Sequence, residues 1–404
     1  MTFRLGINYW PISSAMYWWQ RFDADEFARD AARIRVAGFD SIRIFLLWDD
    51  FQPAPDWVSK NALGNLKIVA DIAKAEELSI IVTLFTGHMS GANWLPRWAT
   101  QTVQSVSTVR FPIISDGRII QGTPKNWYAD EEIMKAQTFL AREVAGSLSG
   151  HRSIWAWDLG NENSNVAVPP SRTAGINWLS AIAGEIKSVD STNKITIGLH
   201  MEDLEEDRRI GPNEAAQVCD FLCMHGYPIY ADWANGPTDA LLLPFLGLLT
   251  RWLGRCEVLF EEFGAPTLPD REINSISPHS NFTLLEETVA AEYAKEAIGL
   301  LNEYGFIGAM LWCYGDYAKE LRQRPPFDRA PHERFFGLWR NDGTPKATVD
   351  AITAIADMRK TLDPDLSWID VEPEEFYQRP RENLARLYRM FSSVNKPSLA
   401  SFTT

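Results

Sequence analysis

Short runs of apolar and β-branched residues alternate with longer segments of helical periodicity along most of this chain. That order is typical of βα units, in which each parallel strand is followed by a helix that covers the sheet. Several of the short runs are almost continuously apolar, as expected for strands that are buried on both faces. The alternation therefore predicts a parallel sheet surrounded by helices.

The candidate strands approach the number that closes an α/β barrel, which is about eight. They run from Leu5 to Tyr9, Ser41 to Leu46, Ser79 to Phe85, Ile154 to Asn161, Lys194 to Leu199, Phe221 to His225, Val258 to Glu262 and Ile307 to Trp312. The amphipathic segments between them run from Ala24 to Ala37, Leu63 to Glu77, Glu131 to Leu148, Ser171 to Val189 and Thr288 to Tyr304. We predict a single (β/α)₈ TIM barrel. A chain of 404 residues is long enough for one such barrel with insertions.

Two insertions and a C-terminal extension lengthen the predicted barrel. The insertions run from Gly87 to about Ala129 and from Gly264 to about Glu286, and both follow strands. Loops after the strands build the active-site face of such barrels, so the insertions are expected to shape a substrate cleft. We assign residues 1–362 to the barrel and residues 363–404 to a helical extension packed on it, with a helix from Glu374 to Phe391.

Charge and hydrophobicity exclude two classes of partner. The formal net charge is −14, and no Lys/Arg-rich run offers a local basic patch, so nucleic acid is not an expected partner. The apolar run from Ala240 to Leu253 contains Pro244 and Arg251, so no membrane span is expected. No signal-peptide pattern is visible at the N-terminus, and a cytoplasmic location is expected. The 16 tryptophans could be core residues or flat platforms for sugars.

Two predicted strands end in acidic residues. The run from Trp155 to Asn163 is an apolar strand that ends at Asn161 and Glu162, and a second apolar strand ends at Glu261 and Glu262. One acidic strand end alone could be a helix cap or an ion-paired residue. The interval between Glu162 and Glu262 leaves room for three βα units, which would place the acids on strands four and seven, across the barrel mouth from each other.

Two facing carboxyl groups suit retaining glycoside hydrolysis. One attacks the anomeric carbon while the other protonates the leaving oxygen, at a separation of about 5 to 5.5 Å. The acid needs a raised pKa and the nucleophile a stabilised charge, so their surroundings must differ. Because side chains alternate along a strand, we expect only one of Glu261 and Glu262 to face the site.

On these motifs the chain resembles glycoside hydrolase family 5. The Asn161-Glu162 pair matches the acid/base motif at the end of strand four, and Glu262-Phe263-Gly264 matches the nucleophile motif. The resemblance implies that Glu162 is the acid/base and that Glu262, not Glu261, is the nucleophile. It implies that Asn161 binds the sugar 2-hydroxyl.

The same resemblance extends to five further positions. Arg43 resembles the arginine that keeps the nucleophile ionised, and Tyr227 the tyrosine whose hydroxyl lies beside it. His88, His225 and Trp312 resemble the family's strand-three histidine, strand-six histidine and strand-eight tryptophan. His200, at the end of strand five, and Trp10, in the Gly-Ile-Asn-Tyr-Trp-Pro opening, complete the predicted substrate-binding residues.

The residues at the strand ends could also belong to a metal site, a cofactor site or a barrel that only binds carbohydrate. His88, His200 and His225 lack the spacing of a zinc site, and no Gly-rich phosphate loop follows a strand, so neither a metal nor a cofactor is expected. A carbohydrate-binding barrel without catalysis is an alternative of another class, although it would not need both glutamates. The resemblance implies a β-linked oligosaccharide or polysaccharide as substrate, with a β-1,4-mannosidic bond first and a β-glucoside second. Exo or endo cleavage, transglycosylation and the oligomeric state stay open.

Overall fold

Eight parallel strands close into one barrel in the computed structural model, which describes residues 2–102, 110–268, 283–353, 355 and 364–395. Each strand pairs with its neighbours in chain order, and the last pairs with the first. We number them β1 to β8: Arg4–Asn8, Ser41–Phe45, Ser79–Thr83, Ile154–Asn161, Lys194–His200, Leu222–His225, Val258–Phe263 and Gly308–Leu311. The predicted (β/α)₈ barrel is confirmed, and the predicted strand ends differ from these by at most two residues.

Long helices cover the outside of the barrel. We number α1 to α6 as Ala24–Val36, Lys60–Ala75, Glu131–Ser147, Arg172–Val189, Leu242–Gly254 and Glu287–Glu303. Asp23 and Asp130 accept backbone N–H groups in the first turns of α1 and α3, which satisfies donors that a helix start leaves free. After β5 the chain forms two short helices instead of a long one, Glu202–Glu205 and Pro212–Ala215.

Helix α5 was not predicted from the sequence. Its run of leucines lacks a polar face, because most of the helix is buried between the barrel and the C-terminal segment. A mostly apolar run of this kind cannot be told from a buried strand by its sequence pattern alone. No helix among the described residues is both long and apolar enough to cross a membrane.

The C-terminal segment packs against α5. After α7, Ala347–Thr353, the described chain forms a short helix at Pro373–Phe376 and then α8, Pro380–Val394. The sequence predicted one helix here, but Pro380 begins a second one, since proline favours the first turn of a helix and disfavours helical backbone before it. The ring of Phe245 lies 4.9 Å from that of Tyr388 and 5.7 Å from that of Phe391.

The insertion after β3 carries a small sheet of its own. Four short strands form it, His88–Met89, Ala92–Trp94, Ile113–Ser115 and Arg118–Ile120. A further pair joins Thr100–Gln101 to Thr123–Pro124. The segment 103–109 of this predicted insertion, and 269–282 of the second one, lie outside the described residues.

The barrel interior is apolar at one end and charged at the other. Ile81, Ala156, Cys223, Leu259 and Met310 form the apolar plug inside the strands. Further along the same strands, toward their C-terminal ends, the buried residues become polar, and Arg43, Asp158 and Glu261 are completely buried. The charged residues therefore lie at the end of the barrel where chemistry is expected.

Candidate active site

A cavity of about 380 Å³ opens at the C-terminal ends of the strands. It is lined by all of the predicted site residues except Arg43 and Trp10, namely His88, Asn161, Glu162, His200, His225, Tyr227, Glu262 and Trp312. These residues lie at the C-terminal ends of β4 to β8 and in the loop after β3. Residues far apart in the sequence therefore meet at one site, as the strand-end prediction requires.

The two predicted catalytic carboxylates face each other across this cavity. One oxygen of Glu162 and one of Glu262 lie within 4.8 Å of each other, with a nitrogen of His225 within the same distance of both. This distance between the carboxylates is short enough for one of them to attack the substrate directly, as in retaining enzymes. Inverting enzymes keep their two carboxyl groups about 6.5 to 9.5 Å apart, which leaves room for a water. Glu162 adopts a left-handed backbone conformation, with φ of 49°. Non-glycine residues in this conformation also occur elsewhere in the described chain, for example at Glu77 and Arg255, so the conformation alone assigns no role to Glu162.

Glu261 points into the barrel as well, so the two acids do not alternate, although only Glu262 of the two lines the cavity as expected. The pairing of β6 with β7 shifts at this point, with Met224 opposite Phe260 but His225 opposite Glu262. This bulge adds one residue to β7 and brings two consecutive side chains to the same side. Glu261 therefore continues the inward face of Leu259, and Glu262 also reaches the barrel mouth.

Arg43 is completely buried beneath the cavity and binds several groups at once. Its Nη2 donates to Asp158 Oδ2 at 2.7 Å and to Asn161 Oδ1 at 2.8 Å. Its Nη1 lies 3.5 Å from Glu262 Oε1, and its Nε lies 3.5 Å from Glu261 Oε1. The predicted contact with the nucleophile is thus an ion pair, while the closest hydrogen bonds go to Asp158 and Asn161. A guanidinium suits this position because it offers five donors in a rigid plane.

The three carboxylates around Arg43 do not share its charge equally. Burial, followed by the charge of Glu261, raises the pKa of Asp158 to about 6. Burial would also raise the pKa of Glu261, but Arg43 and His225 outweigh it and hold that pKa below its ordinary value. Thr83 Oγ1 donates to Asp158 Oδ2 at 2.5 Å. Of Asp158 and Glu261, Asp158 therefore takes up a proton first as the pH falls.

His225 joins three carboxylates. Its Nδ1 lies 3.1 Å from both Glu162 Oε1 and Glu262 Oε2, and its Nε2 lies 3.2 Å from Glu261 Oε2. Burial alone would lower the pKa of His225, but the charge of Glu262 and the hydrogen bonds to the three acids raise it well above its ordinary value. The ring is therefore an imidazolium at neutral pH. Gly198 leaves room for it, since a Cβ there would lie 2.9 Å from a ring carbon of His225.

Glu162 differs from the sequence-based expectation in its ionisation. Burial would raise its pKa, but the positive charges of His200 and His225, with the hydrogen bond from His225, lower it well below the ordinary value. A general acid needs a raised pKa. His225 Nδ1 lies equally close to Glu162 and Glu262, so its proton is shared between the two carboxylates.

The remaining predicted residues form the walls. Asn161 Nδ2 donates to the His88 carbonyl at 2.6 Å, and His88 Nδ1 lies 2.9 Å from Asn93 Oδ1. Tyr227 lines the cavity, and burial, together with the charge of Glu262, raises its pKa well above the ordinary value, so its hydroxyl keeps its proton. Trp312 also lines the cavity.

His200 and Trp10 lie further from the carboxylates. His200 Nδ1 is 4.0 Å from Glu162 Oε2, and its Nε2 lies 2.9 Å from Ser164 Oγ, which donates to Asp203 Oδ1. Trp10 is fully buried, stacks on Phe45 with ring centroids 5.3 Å apart, and does not line the cavity. Substrate contact by either residue stays a prediction.

Several residues around the cavity were not predicted from the sequence. On one side Arg110 forms a two-pronged ion pair with Glu202, which also accepts from Arg208. On another, Glu333 accepts from Ser90 Oγ at 3.0 Å and from the Tyr230 hydroxyl at 2.9 Å. All lie on loops, where no local motif marks them. The length of the insertion after β3 was the one available signal.

Solved structures share this barrel. A GH5_18 protein from Streptomyces cattleya, in complex with Manβ1-4GlcNAc, is 19% identical over 98% of this chain and 93% of that chain, with a TM-score of 0.78. A GH5_18 protein from Bifidobacterium longum subsp. longum, in complex with the same disaccharide, is 19% identical over 98% and 89%, with a TM-score of 0.75. An exo-β-1,4-mannosidase from Opitutaceae bacterium strain TAV5 is 24% identical over 88% of this chain and 59% of that chain, with a TM-score of 0.70.

The barrel has the fold of the GH5_18 proteins. At these identities the likeness establishes the fold, and it confirms the predicted resemblance to glycoside hydrolase family 5 at that level. A scan of protein-family models found no match. A search of curated proteins found none either.

The arrangement of ligand atoms in this barrel also bears on metal binding. Within the described ranges, Glu162, His225 and Glu262 form the one group of three side chains whose donor atoms are close enough to hold an ion. Hydrogen bonds from a protonated His225 account for the same short distances, and a protonated imidazole cannot be a metal ligand. A metal ion would bind here only if the ring lost that proton.

Proposed function

We propose that this protein is a retaining β-mannosidase that cleaves β-1,4-mannosidic bonds through a covalent glycosyl-enzyme. The observation that carries the proposal is the approach of Glu162 and Glu262 to within 4.8 Å of each other at the barrel mouth. Retaining glycosidases need such a pair at about 5 to 5.5 Å.

In the first step, Glu262 attacks the anomeric carbon and Glu162 protonates the departing oxygen. In the second, Glu162 takes a proton from water, which attacks the anomeric carbon and releases Glu262. Arg43 and His225 stabilise the carboxylate of Glu262 before attack. As Glu262 attacks and its negative charge is consumed, the proton at His225 Nδ1 passes to Glu162, which delivers it to the departing oxygen.

Two considerations support a β-mannosidic substrate of short length. The cavity volume of about 380 Å³ lies in the range of pockets for small molecules. The similar structures include GH5_18 proteins in complex with Manβ1-4GlcNAc and an exo-β-1,4-mannosidase. A β-glucosidase of the same fold is the alternative, since the same two-step chemistry serves either sugar.

A barrel that only binds carbohydrate is the alternative of another class. Sugar binding alone needs stacking surfaces and a few hydrogen bonds, and does not need Arg43, Asp158 and Glu261 as buried charges beneath the pocket. Burying charged groups costs free energy unless they are paired. Their presence next to Glu262 favours catalysis over binding.

The test is hydrolysis of aryl β-mannoside, aryl β-glucoside and short β-1,4-linked manno- and gluco-oligosaccharides by the purified protein. We expect release from the mannosides, lost in Glu262→Gln, and much weaker release from the glucosides. Preferred release from glucosides would replace the sugar assignment. Binding of oligosaccharides without release by a folded protein would favour the binding barrel.

A further inference from the structure

Glu333 is a buried carboxylate at the cavity that the two-step chemistry does not use. It lies in the short 3₁₀ helix Pro331–Phe335, in the loop after β8, and is 8% exposed. Its side chain lines the cavity together with those of His332 and Phe336. A carboxylate in this position must be compensated by hydrogen bonds or charge.

Three loops supply that compensation. Ser90, from the loop after β3, donates to Oε2 at 3.0 Å, and Tyr230, from the loop after β6, donates to Oε1 at 2.9 Å. His332 Nε2 lies 3.4 Å from Oε1. Burial would raise the pKa of Glu333, but His332, Tyr230 and Ser90 together lower it, so the group is charged. His332 Nε2 lies closer to the Tyr230 hydroxyl, at 2.9 Å, so the hydroxyl groups of Ser90 and Tyr230 are the direct donors and leave acceptor positions on the carboxylate for a ligand.

The position of Glu333 in the fold relates it to the sugar that becomes attached to the enzyme. It shares the β8 loop with Trp312, and β8 is the neighbour of β7, which carries the nucleophile Glu262. The acid/base Glu162 ends β4 on the other side of the barrel, where the leaving group must lie. In a pyranose the hydroxyl groups on C3, C4 and C6 lie away from the anomeric carbon, so we expect them to face the cavity walls, of which Glu333 forms part.

We propose that Glu333 accepts a hydrogen bond from a C3, C4 or C6 hydroxyl of the terminal sugar and selects substrates by it. This inference rests on the proposed function, because it takes Glu262 as the attacking group. The link from Ser90 through Glu333 to Tyr230 then forms the wall at the far end of the sugar site. A charged acceptor held in place by two hydroxyl donors discriminates strongly between substrates, because a buried charge that lacks its hydrogen bond is costly.

The experiment compares kcat/KM for an aryl glycoside with that for its 2-, 3-, 4- and 6-deoxy analogues, in wild type and in Glu333→Gln. We expect one of the 3-, 4- or 6-deoxy changes to lower the wild-type value by about 10- to 100-fold, the range of a hydrogen bond to a charged group. Glu333→Gln should lower the value for the parent substrate by a similar factor. In that variant the same deoxy change should cost less than about 3-fold, because the interaction is already lost.

Ser90→Ala is the matched control, since it loosens the wall but keeps the carboxylate. In this variant, the deoxy change that lowers kcat/KM in the wild type should lower it by the same factor. Glu333→Asp, which keeps the charge on a shorter side chain, replaces Glu333→Gln if the latter does not fold. Equal losses on the parent and on every deoxy analogue, no loss at all, or coupling confined to the 2-deoxy analogue would overturn the proposal.

The proposed function can fail separately from the role of Glu333. If the wild type hydrolyses no glycoside, the mannosidase proposal is contradicted. The same comparison is then made with dissociation constants for the parent and deoxy sugars, measured by calorimetry. Loss of the deoxy penalty in Glu333→Gln would support sugar binding by Glu333, and an unchanged penalty would contradict it.

Discussion

The floor and the rim of the cavity are built from different parts of the fold. The floor consists of strand residues with no solvent exposure, such as Arg43, Asp158 and Glu261, and every charge there contacts an opposite one. The rim consists of loop residues such as Arg110, whose side chain is 56% exposed. In barrels of this kind the strand ends carry the reacting groups and the loops determine the substrate, and we propose the same division here.

The largest expected effect separates two adjacent acids of the floor. Glu262→Gln should lower kcat by about 10⁴-fold or more, because the attacking group is lost. Glu261→Gln removes a charge next to Arg43 and His225 but leaves the nucleophile in place, so the loss should be at least 100-fold smaller. Glycoside hydrolysis by both variants under the same conditions makes the comparison.

Rescue by small external nucleophiles is a second way to compare Glu262 with Glu261. Azide or formate should restore turnover to Glu262→Gly with inverted product stereochemistry, and should do nothing for Glu261→Gly. Rescue of the Glu261 variant instead would reverse the two roles.

The next effect tests whether the floor depends on the shape of Arg43 as well as its charge. Arg43→Lys keeps one positive charge but cannot span Asp158, Asn161 and both glutamates. We expect the free energy of unfolding to fall by up to about 3 kcal/mol, as for broken buried pairs, and kcat to fall with it. Urea denaturation and kinetics measure both. Arg142→Lys, at an exposed pair with Glu185 between α3 and α4, is the control and should change neither.

The register between β6 and β7 is a feature that could not be predicted from the sequence. The strands and the facing acids follow from apolar periodicity and from residues at strand ends, whereas the lining residues His88, His225, Tyr227 and Trp312 were predicted from the family resemblance. The bulge that turns both Glu261 and Glu262 inward follows from neither, because it depends on the register between two strands. The loops that bring Ser90, Tyr230 and Glu333 together were beyond prediction for the same reason, since such contacts join distant segments without any local pattern.

A third prediction concerns the proton on His225. Its raised folded-state pKa means that this proton stabilises the fold fully below the pKa of histidine in an unfolded chain, about 6.5. The contribution is lost as the pH rises through the higher folded-state pKa. The stability difference between wild type and His225→Asn should thus be largest at about pH 6 and shrink in alkaline solution. Denaturation at several pH values tests it, and a difference that grows with pH would contradict the imidazolium.

The smallest expected effect lies on the rim. Arg110→Ala breaks an exposed ion pair with Glu202, so the free energy of unfolding should change by less than about 1 kcal/mol. Because both residues line the cavity, we expect a rise in KM of less than about 10-fold with kcat nearly unchanged. A large fall in kcat would place Arg110 with the floor instead, and the contrast between the two regions would fail.

The most direct test of the account is to trap the glycosyl-enzyme. A 2-deoxy-2-fluoro mannosyl donor with a good leaving group should slow the second step and leave one sugar attached to the protein. Fragmentation of the peptide that contains Val258–Phe263 by mass spectrometry then locates it. We predict the label on Glu262. A label on Glu261, or hydrolysis with inverted stereochemistry and no labelled protein, would contradict the retaining mechanism as assigned.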